Sequence, residues 1–298
     1  MEVDSTGSII LKHNTPRTQT VDNFIALIRE TNELLEQQSD LSPANQLVTN
    51  IIRRLSLQLR SRYLPEEIQA VLSNEYIRRN QRNLQDKLSE AEFLAELSDS
   101  RHLSFKSDES VLDIVTRLPN WDIYMALVSE ELSILRQFIG RDDQLAKSPI
   151  VFVGSGPLPL SPIILHLFGN VDVICLEIDS AAYEASCVLL ERLGLSSNVT
   201  VLVENGSEFD YSSCNRIFVA SLVRNKTGVL ERISRTSPNP LVAVRTAEGI
   251  RQIMYEAIDE LQLNKQGWRI LARTRPEENL VINSTLFLDR AIAPAMPE

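Results

Sequence analysis

Between Ile150 and Asp179 the chain reads IVFVGSGPLPLSPIILHLFGNVDVICLEID. An apolar strand, Ile150 to Val153, runs straight into Gly154-Ser155-Gly156. An apolar, helix-like segment follows, and a second apolar strand, Val171 to Leu176, ends on Glu177 and Asp179. That order is the first half of a nucleotide-binding α/β unit. Gly154 and Gly156 lack a Cβ, so the backbone can turn tightly there and approach a ligand. An acid at the tip of the second strand is placed to accept hydrogen bonds from a ribose diol. The stretch thus locates a cofactor site without naming the cofactor.

The prolines narrow it. The spacing is Gly-x-Gly-x-x-x, with Pro159 where a dinucleotide fingerprint has its third glycine. Pro157 and Pro159 stiffen the loop and remove N–H donors that a pyrophosphate needs. NAD is therefore disfavoured against a nucleoside without phosphate, of which S-adenosylmethionine is the obvious one. A glycine turn serving only strand–helix packing is the plainer alternative, and the acid on the next strand argues against it.

Glu177 and Asp179 flank Ile178; with Ile178 toward the core, both acids point away from it. Glu177 is expected at the ribose. Asp179 is second choice, its alternative role being a cap before Ser180-Ala181-Ala182. The third strand ends at Val203-Glu204-Asn205-Gly206-Ser207, a turn expected near the adenine, with Asn205 or Ser207 on its edge. An ordinary loop is equally compatible with that pattern.

A chain of 298 residues, 43% hydrophobic, can bury one large core or two ordinary ones. Lys and Arg number 30 against 40 Asp and Glu, a formal charge of −10. Nucleic-acid affinity rests on phosphate neutralisation, so this balance argues against such a partner. Cys175, Cys187 and Cys214 match no metal pair or disulfide framework, and His13, His102 and His166 are scattered. No protein metal site is expected. The N-terminus lacks a signal-peptide pattern, and no run of about 18 apolar residues occurs. A soluble cytoplasmic protein without membrane contact is the expectation. The oligomeric state stays open, a homodimer included.

Residues 1–19 read as a flexible tail. Residues 20–145 are helical nearly throughout and are expected to form an N-terminal all-α cap. Phe24, Leu27, Ile28, Leu34 and Leu35 share one face of a first helix. Ser42-Pro43 is expected to start a second, carrying Leu47 to Leu59. Pro65 opens a third, and Leu84 to Leu97 reads as a fourth. Ser107-Asp108 would cap a fifth whose buried face is Val111, Leu112, Ile114 and Val115. Pro119 ends it, and a sixth carries Tyr124 to Phe138. From 149 to 298, short apolar runs alternate with helical stretches, the pattern of a mostly parallel sheet. The last two runs, Trp268–Ala272 and Val281–Leu288, flank the Pro276-Glu277-Glu278 turn and suit an antiparallel pair. The expected fold class is therefore α/β: a Rossmann-like sheet with an N-terminal helical cap.

The eight residues Gly154-Ser155-Gly156-Pro157-Leu158-Pro159-Leu160-Ser161 resemble the signature of nicotianamine synthases and related bacterial opine-metallophore synthases. Three more stretches agree in order and spacing. Val244-Arg245-Thr246-Ala247-Glu248-Gly249 is similar to the family's Arg-Ser-Ala-His-Gly segment. Pro276 through Val281-Ile282-Asn283-Ser284 is similar to its C-terminal strand. Pro119, Tyr124, Leu127 and Glu131 fall at the spacing of its Pro-Tyr-x-x-Asn-Tyr-x-x-Leu-x-x-x-Glu helix. The resemblance covers about residues 20–290. Asn120, Ser207 and Glu248 depart from it, standing where an aromatic, an aspartate and a histidine are usual.

The resemblance implies a class I methyltransferase-like sheet that binds S-adenosylmethionine as a substrate. It implies transfer of the 3-amino-3-carboxypropyl (aminobutyrate) group to an amine, with methylthioadenosine leaving. The acceptor would be a second aminobutyrate unit or an amino acid such as histidine, giving a nicotianamine-like or opine-type metallophore. Intramolecular cyclisation to azetidine-2-carboxylate, methyl transfer and a non-catalytic binding module remain alternatives. By the same resemblance Glu131 is the general base, with Glu130 beside it as the competing choice. Seven positions separate Tyr124 from Glu131, close to two helical turns, so they share a face. Arg245 ends an apolar strand where a substrate carboxylate could meet it, or else pairs with a nearby acid. Trp121 and Tyr124 are set against the sulfonium, with a core role as the alternative for each.

Overall fold

The strand that carries the glycine turn lies near the middle of a seven-stranded sheet of order β3-β2-β1-β4-β5-β7-β6. The structure is a computed structural model and describes residues 17–104, 109–139, 148–277 and 280–290. Strands β1 (Ile150–Val153), β2 (Val173–Glu177), β3 (Val199–Val203), β4 (Arg216–Val219) and β5 (Leu241–Thr246) run parallel. Strand β7 (Ser284–Arg290) pairs antiparallel with β5 on one side and β6 (Trp268–Arg273) on the other. Strand order reverses between β1 and β4, which opens a crevice above their carboxyl ends.

Each parallel crossover carries a helix or a loop. Helix α7 (Leu160–Gly169) follows β1, α8 (Ser180–Arg192) follows β2 and α9 (Lys226–Thr236) follows β4. Continuous burial along β1 and β4 fits strands covered on both faces. A short helix α10 (Glu260–Lys265) precedes β6.

Among the described residues, six helices precede the sheet: α1 (Arg17–Gln37), α2 (Gln46–Leu59), α3 (Pro65–Leu72), α4 (Glu75–His102), α5 (Val111–Val115) and α6 (Trp121–Phe138). They divide between two cores. Phe24, Ile28 and Leu35 of α1, the α2 stripe Val48-Ile51-Leu55-Leu59 and Leu84 and Leu88 of α4 pack together, and Ile250, Ile253 and Ile282 join them from the sheet half. Val128, Leu132 and Leu135 of α6 share the core beneath the sheet with Ile163, Ile164 and Phe152.

Several boundaries differ from the expected ones. Helix α1 begins at Arg17, inside the expected tail, whose first 16 residues lie outside the described ones. Helix α2 starts at Gln46 rather than at Pro43, because Asn45 is the residue whose side chain accepts from Leu47 and Val48 N–H. Helix α4 runs 28 residues, far beyond Leu84 to Leu97. The Ser107-Asp108 cap lies outside the described residues; Ser110 caps α5, and Leu112 is exposed while Ile114 and Val115 are buried. The last strand starts at Ser284, leaving Val281-Ile282-Asn283 as an irregular lead-in. Among the described residues, no helix is long and apolar enough to cross a membrane.

Candidate functional site: a cavity between the helices and the sheet edge

A cavity of about 810 Å³ opens over the carboxyl ends of the parallel strands, under α2, α4 and α6. Its floor is the β1 turn. Gly154 and Gly156 adopt φ of 78° and 70°, the left-handed region that a Cβ disfavours. A Cβ on Gly156 would stand 2.9 Å from Glu96 Oε2, so α4 descends directly onto the turn.

Glu177 closes β2 and is buried. Its Oε2 accepts from Gly156 N–H at 2.8 Å, and its Oε1 accepts from Ile178 and Asp179 N–H at 2.9 and 3.0 Å. An ionised carboxylate offers about four acceptor positions. Three are occupied by the turn it braces, which leaves about one for a ligand hydroxyl. Ile178 faces the opposite way from the expected one: it is 73% exposed and lines the cavity. Across from it, Asn205, Gly206 and Ser207 form the β3 turn, with Asn205 Oδ1 accepting from Ser207 N–H and Oγ–H.

Asp179 does not reach the cavity. Its Oδ1 accepts from Ala182 N–H at 2.9 Å and caps α8. Trp121 is also away from it, buried in the α6–α7 core with its ring 6.4 Å from that of Phe168.

Glu131 corrects the expected base most sharply. It is fully buried and absent from the cavity wall. Arg245 Nε and Nη2 donate to its two oxygens at 2.9 Å each, and Thr285 Oγ1 donates to Oε1 at 2.6 Å. A carboxylate held by a two-pronged guanidinium and a hydroxyl is not positioned to take a substrate proton. The pair ties α6 to β5 and β7. Arg245 does line the cavity, donating also to Ser161 Oγ at 3.0 Å. Glu130 lies on the exposed side of α6.

The acids that do reach the cavity sit on α4. Glu92 and Glu96 are four positions apart and share a face. Tyr124 Oη donates to Glu96 Oε1 at 3.0 Å, and Tyr255 Oη donates to Glu92 Oε2 at 3.0 Å. Burial pushes Glu92 up to about 7 against the lowering effect of the Tyr255 hydrogen bond. Burial, reinforced by the Glu92 charge, pushes Glu96 well above the usual carboxylate range. Both tyrosines are pushed up by burial and by the same acids. Two half-buried carboxylates raised above the ordinary range, each touching a phenol, are suited to moving protons.

The cavity therefore gathers Tyr124, Gly154, Ser155, Gly156, Pro157, Glu177, Asn205, Gly206, Ser207 and Arg245, and excludes Trp121, Glu131 and Asp179. Glu248, one departure from the family pattern, pairs with Arg273 at 2.9 Å outside it. Glu92, Glu96, Tyr255 and Ile178 were not anticipated. The available signal was two acids spaced four apart in phase with Leu84 and Leu88, on a stripe that should otherwise be apolar.

The sheet order, with helices before it and a crevice at the β1/β4 reversal, defines an S-adenosylmethionine-methyltransferase-like α/β protein. More narrowly, the chain belongs to the nicotianamine synthase family, enzymes that transfer the aminocarboxypropyl group of S-adenosylmethionine: the model of the nicotianamine synthase protein family matches residues 17–295. Nicotianamine synthase 1 of Arabidopsis thaliana is 28% identical over 254 residues, covering 80% of this chain and 77% of that one. The Solanum lycopersicum nicotianamine synthase is 29% identical, covering 70% and 66%. Nicotianamine synthase 3 of Oryza sativa subsp. indica is 28% identical, but the chain covers only 57% of its length.

Among solved structures, a Glu-to-Gln variant of MtNAS in complex with S-adenosylmethionine superposes with a TM-score of 0.75 at 18% identity, over 90% of this chain and 98% of that one. MtNAS in complex with MTA and tNA gives 0.71, over 92% and 98%. At that identity the likeness concerns the fold.

Proposed function

We propose that the chain transfers the 3-amino-3-carboxypropyl group of S-adenosylmethionine to an amine, making a nicotianamine-like or opine-type metallophore or its precursor. The observation that carries this reading is the carboxylate pair Glu92 and Glu96, placed over the glycine turn and beside two tyrosines. An attacking amine, protonated at neutral pH, needs a base, which this pair supplies, and membership of the nicotianamine synthase family favours aminocarboxypropyl over methyl transfer.

The ribose takes the remaining acceptor position on Glu177, and the adenine lies between Ile178 and the Asn205–Ser207 turn. The methionyl carboxylate meets Arg245, the buried guanidinium of the cavity wall. Glu96 or Glu92 takes a proton from the acceptor ammonium. The freed lone pair attacks the γ-carbon, the carbon–sulfur bond breaks and its electron pair returns to sulfur. The positive sulfonium becomes neutral methylthioadenosine, and the new secondary ammonium sheds its extra proton to the carboxylate pair or to water. Placement of nitrogen, carbon and sulfur in line accounts for as much as roughly 7–11 kcal/mol of barrier reduction in such reactions.

Incubation with S-adenosylmethionine and an amino-acid panel, followed by mass spectrometry, tests the reading. Methylthioadenosine and an aminobutyrate-bearing product are expected. S-adenosylhomocysteine as the sole nucleoside product would make the chain a methyltransferase. Glu96→Gln is expected to retain nucleoside binding and lose about 10²–10⁴-fold in turnover.

A further inference from the structure

Arg60 ends α2 and lines the same cavity. Its Nε is buried without a hydrogen-bond partner. Among the described residues, no acid or carbonyl oxygen accepts from its side chain. The other arginines of the wall differ. Arg245 is clamped by Glu131, Arg224 pairs with Asp86 at 2.6 Å and Arg53 is exposed beside Asn50. A guanidinium with a buried, unpartnered Nε–H facing a cavity suits a carboxylate, which its planar fork matches in a two-pronged contact.

Its location says which carboxylate. Glu96 abuts Gly156, so it stands nearest the nucleoside turn. Glu92 lies one helical turn back along α4 and holds the Tyr255 hydroxyl. Arg60 and Tyr255 line the same cavity, and the positive charge of Arg60 partly offsets the rise that burial and the two acids give Tyr255. The wall thus runs from nucleoside turn to Glu96, Glu92, Tyr255 and Arg60. A molecule whose amine faces the acids has its neighbouring substituent at the arginine.

Resting on the transfer reading above, we propose that Arg60 anchors the carboxylate of the acceptor's α-amino acid head group. The free amino acid and an aminobutyrate unit already joined to a growing product share that head group.

The test pairs amino acids with their decarboxylated forms: L-histidine with histamine, and 2-aminobutyrate with propylamine. Calorimetry on the full chain saturated with methylthioadenosine measures binding without turnover. The unaltered protein is expected to bind an amino acid and to bind its decarboxylated partner at least 10-fold more weakly. Arg60→Ala is expected to raise the amino-acid Kd and acceptor KM on the order of 10- to 100-fold and to erase the preference, leaving methylthioadenosine affinity unchanged. Arg60→Lys should recover part of the affinity. A thermal melt of each variant separates lost folding from lost recognition. Equal binding of both members of each pair, no amino-acid binding at all, or an Arg60→Ala defect confined to the nucleoside would overturn the assignment. Methylthioadenosine release measured in parallel separates the two proposals: binding that depends on Arg60 without any release refutes transfer and leaves the anchor standing.

Discussion

At the scale of single residues, two kinds of buried carboxylate coexist in this molecule. Glu131 has both oxygens occupied by Arg245 and Thr285, whereas Glu92 and Glu96 face a cavity with only phenols for partners. Their variants should separate cleanly. Removing one partner of a buried pair strands the other, so Glu131→Ala should lower unfolding free energy by about 3–5 kcal/mol in a denaturant titration. Glu92 should instead set a pH profile. Its pKa is raised from an ordinary 4.5 to about 7, so the folded chain binds that proton more tightly than the unfolded one. Stability therefore declines as pH climbs through that window, and the base becomes competent over the same range. The kcat/KM of the transfer reaction should rise as Glu92 ionises near 7, with Glu96, raised well above the ordinary range, coupled to it. Tyr255 bonds that group, and Glu96, Asp99, Tyr124, Arg60 and Arg245 line the same cavity. Glu92→Gln should shift or flatten the rise; a profile identical to that of the unaltered protein would remove Glu92 from the proton path.

At the scale of elements, the strand-turn-helix-strand stretch from Ile150 to Asp179 was legible because local chemistry dictates it. Apolar runs, glycines with positive φ and an acid at a strand tip each have one main structural use. Strands β1, β3 and β4 fall on their expected residues. What was not legible depends on pairing across distance. The Glu131–Arg245 contact joins residues 114 apart, and from α6 alone Glu131 is simply an acid in register with Tyr124. Asp179 and Glu177 sit two apart on one face, and only the backbone N–H groups around them decide that one braces the turn and the other caps α8. The Glu92–Glu96 stripe belongs to a helix whose length became apparent only in the fold. The β3 turn gives an element-scale prediction. A Cβ on Gly206 would stand 2.5 Å from Val153 Cγ1 and 3.2 Å from the Tyr211 hydroxyl. Gly206→Ala must push the turn off β1, at a stability cost of about 1–3 kcal/mol. Calorimetry should show weakened methylthioadenosine binding as well; unchanged affinity would place the adenine elsewhere.

At the scale of the whole molecule, the cavity has two owners. The sheet supplies the glycine turn, Glu177 and the β3 turn, while α4 and α6 supply Glu92, Glu96 and Tyr124. The two halves also share a core through Ile250, Ile253 and Ile282, and Gln81 and Gln85 of α4 both donate to the Gln252 carbonyl, at 2.7 and 2.8 Å. A ligand in that cavity touches both halves, so its binding free energy should stabilise both together. At a methylthioadenosine concentration of 100 times Kd the gain is about 2.7 kcal/mol. Hydrogen exchange offers the spatial readout. Protection should increase in the β1 turn, in the β3 turn and along α4 around Glu92 and Glu96, with α1 little changed because it lies outside the cavity wall. Protection confined to the sheet turns would mean that the nucleoside alone does not engage α4. The helices would then close only when the acceptor arrives, and the same experiment with an added amino acid should show α4 becoming protected at that step.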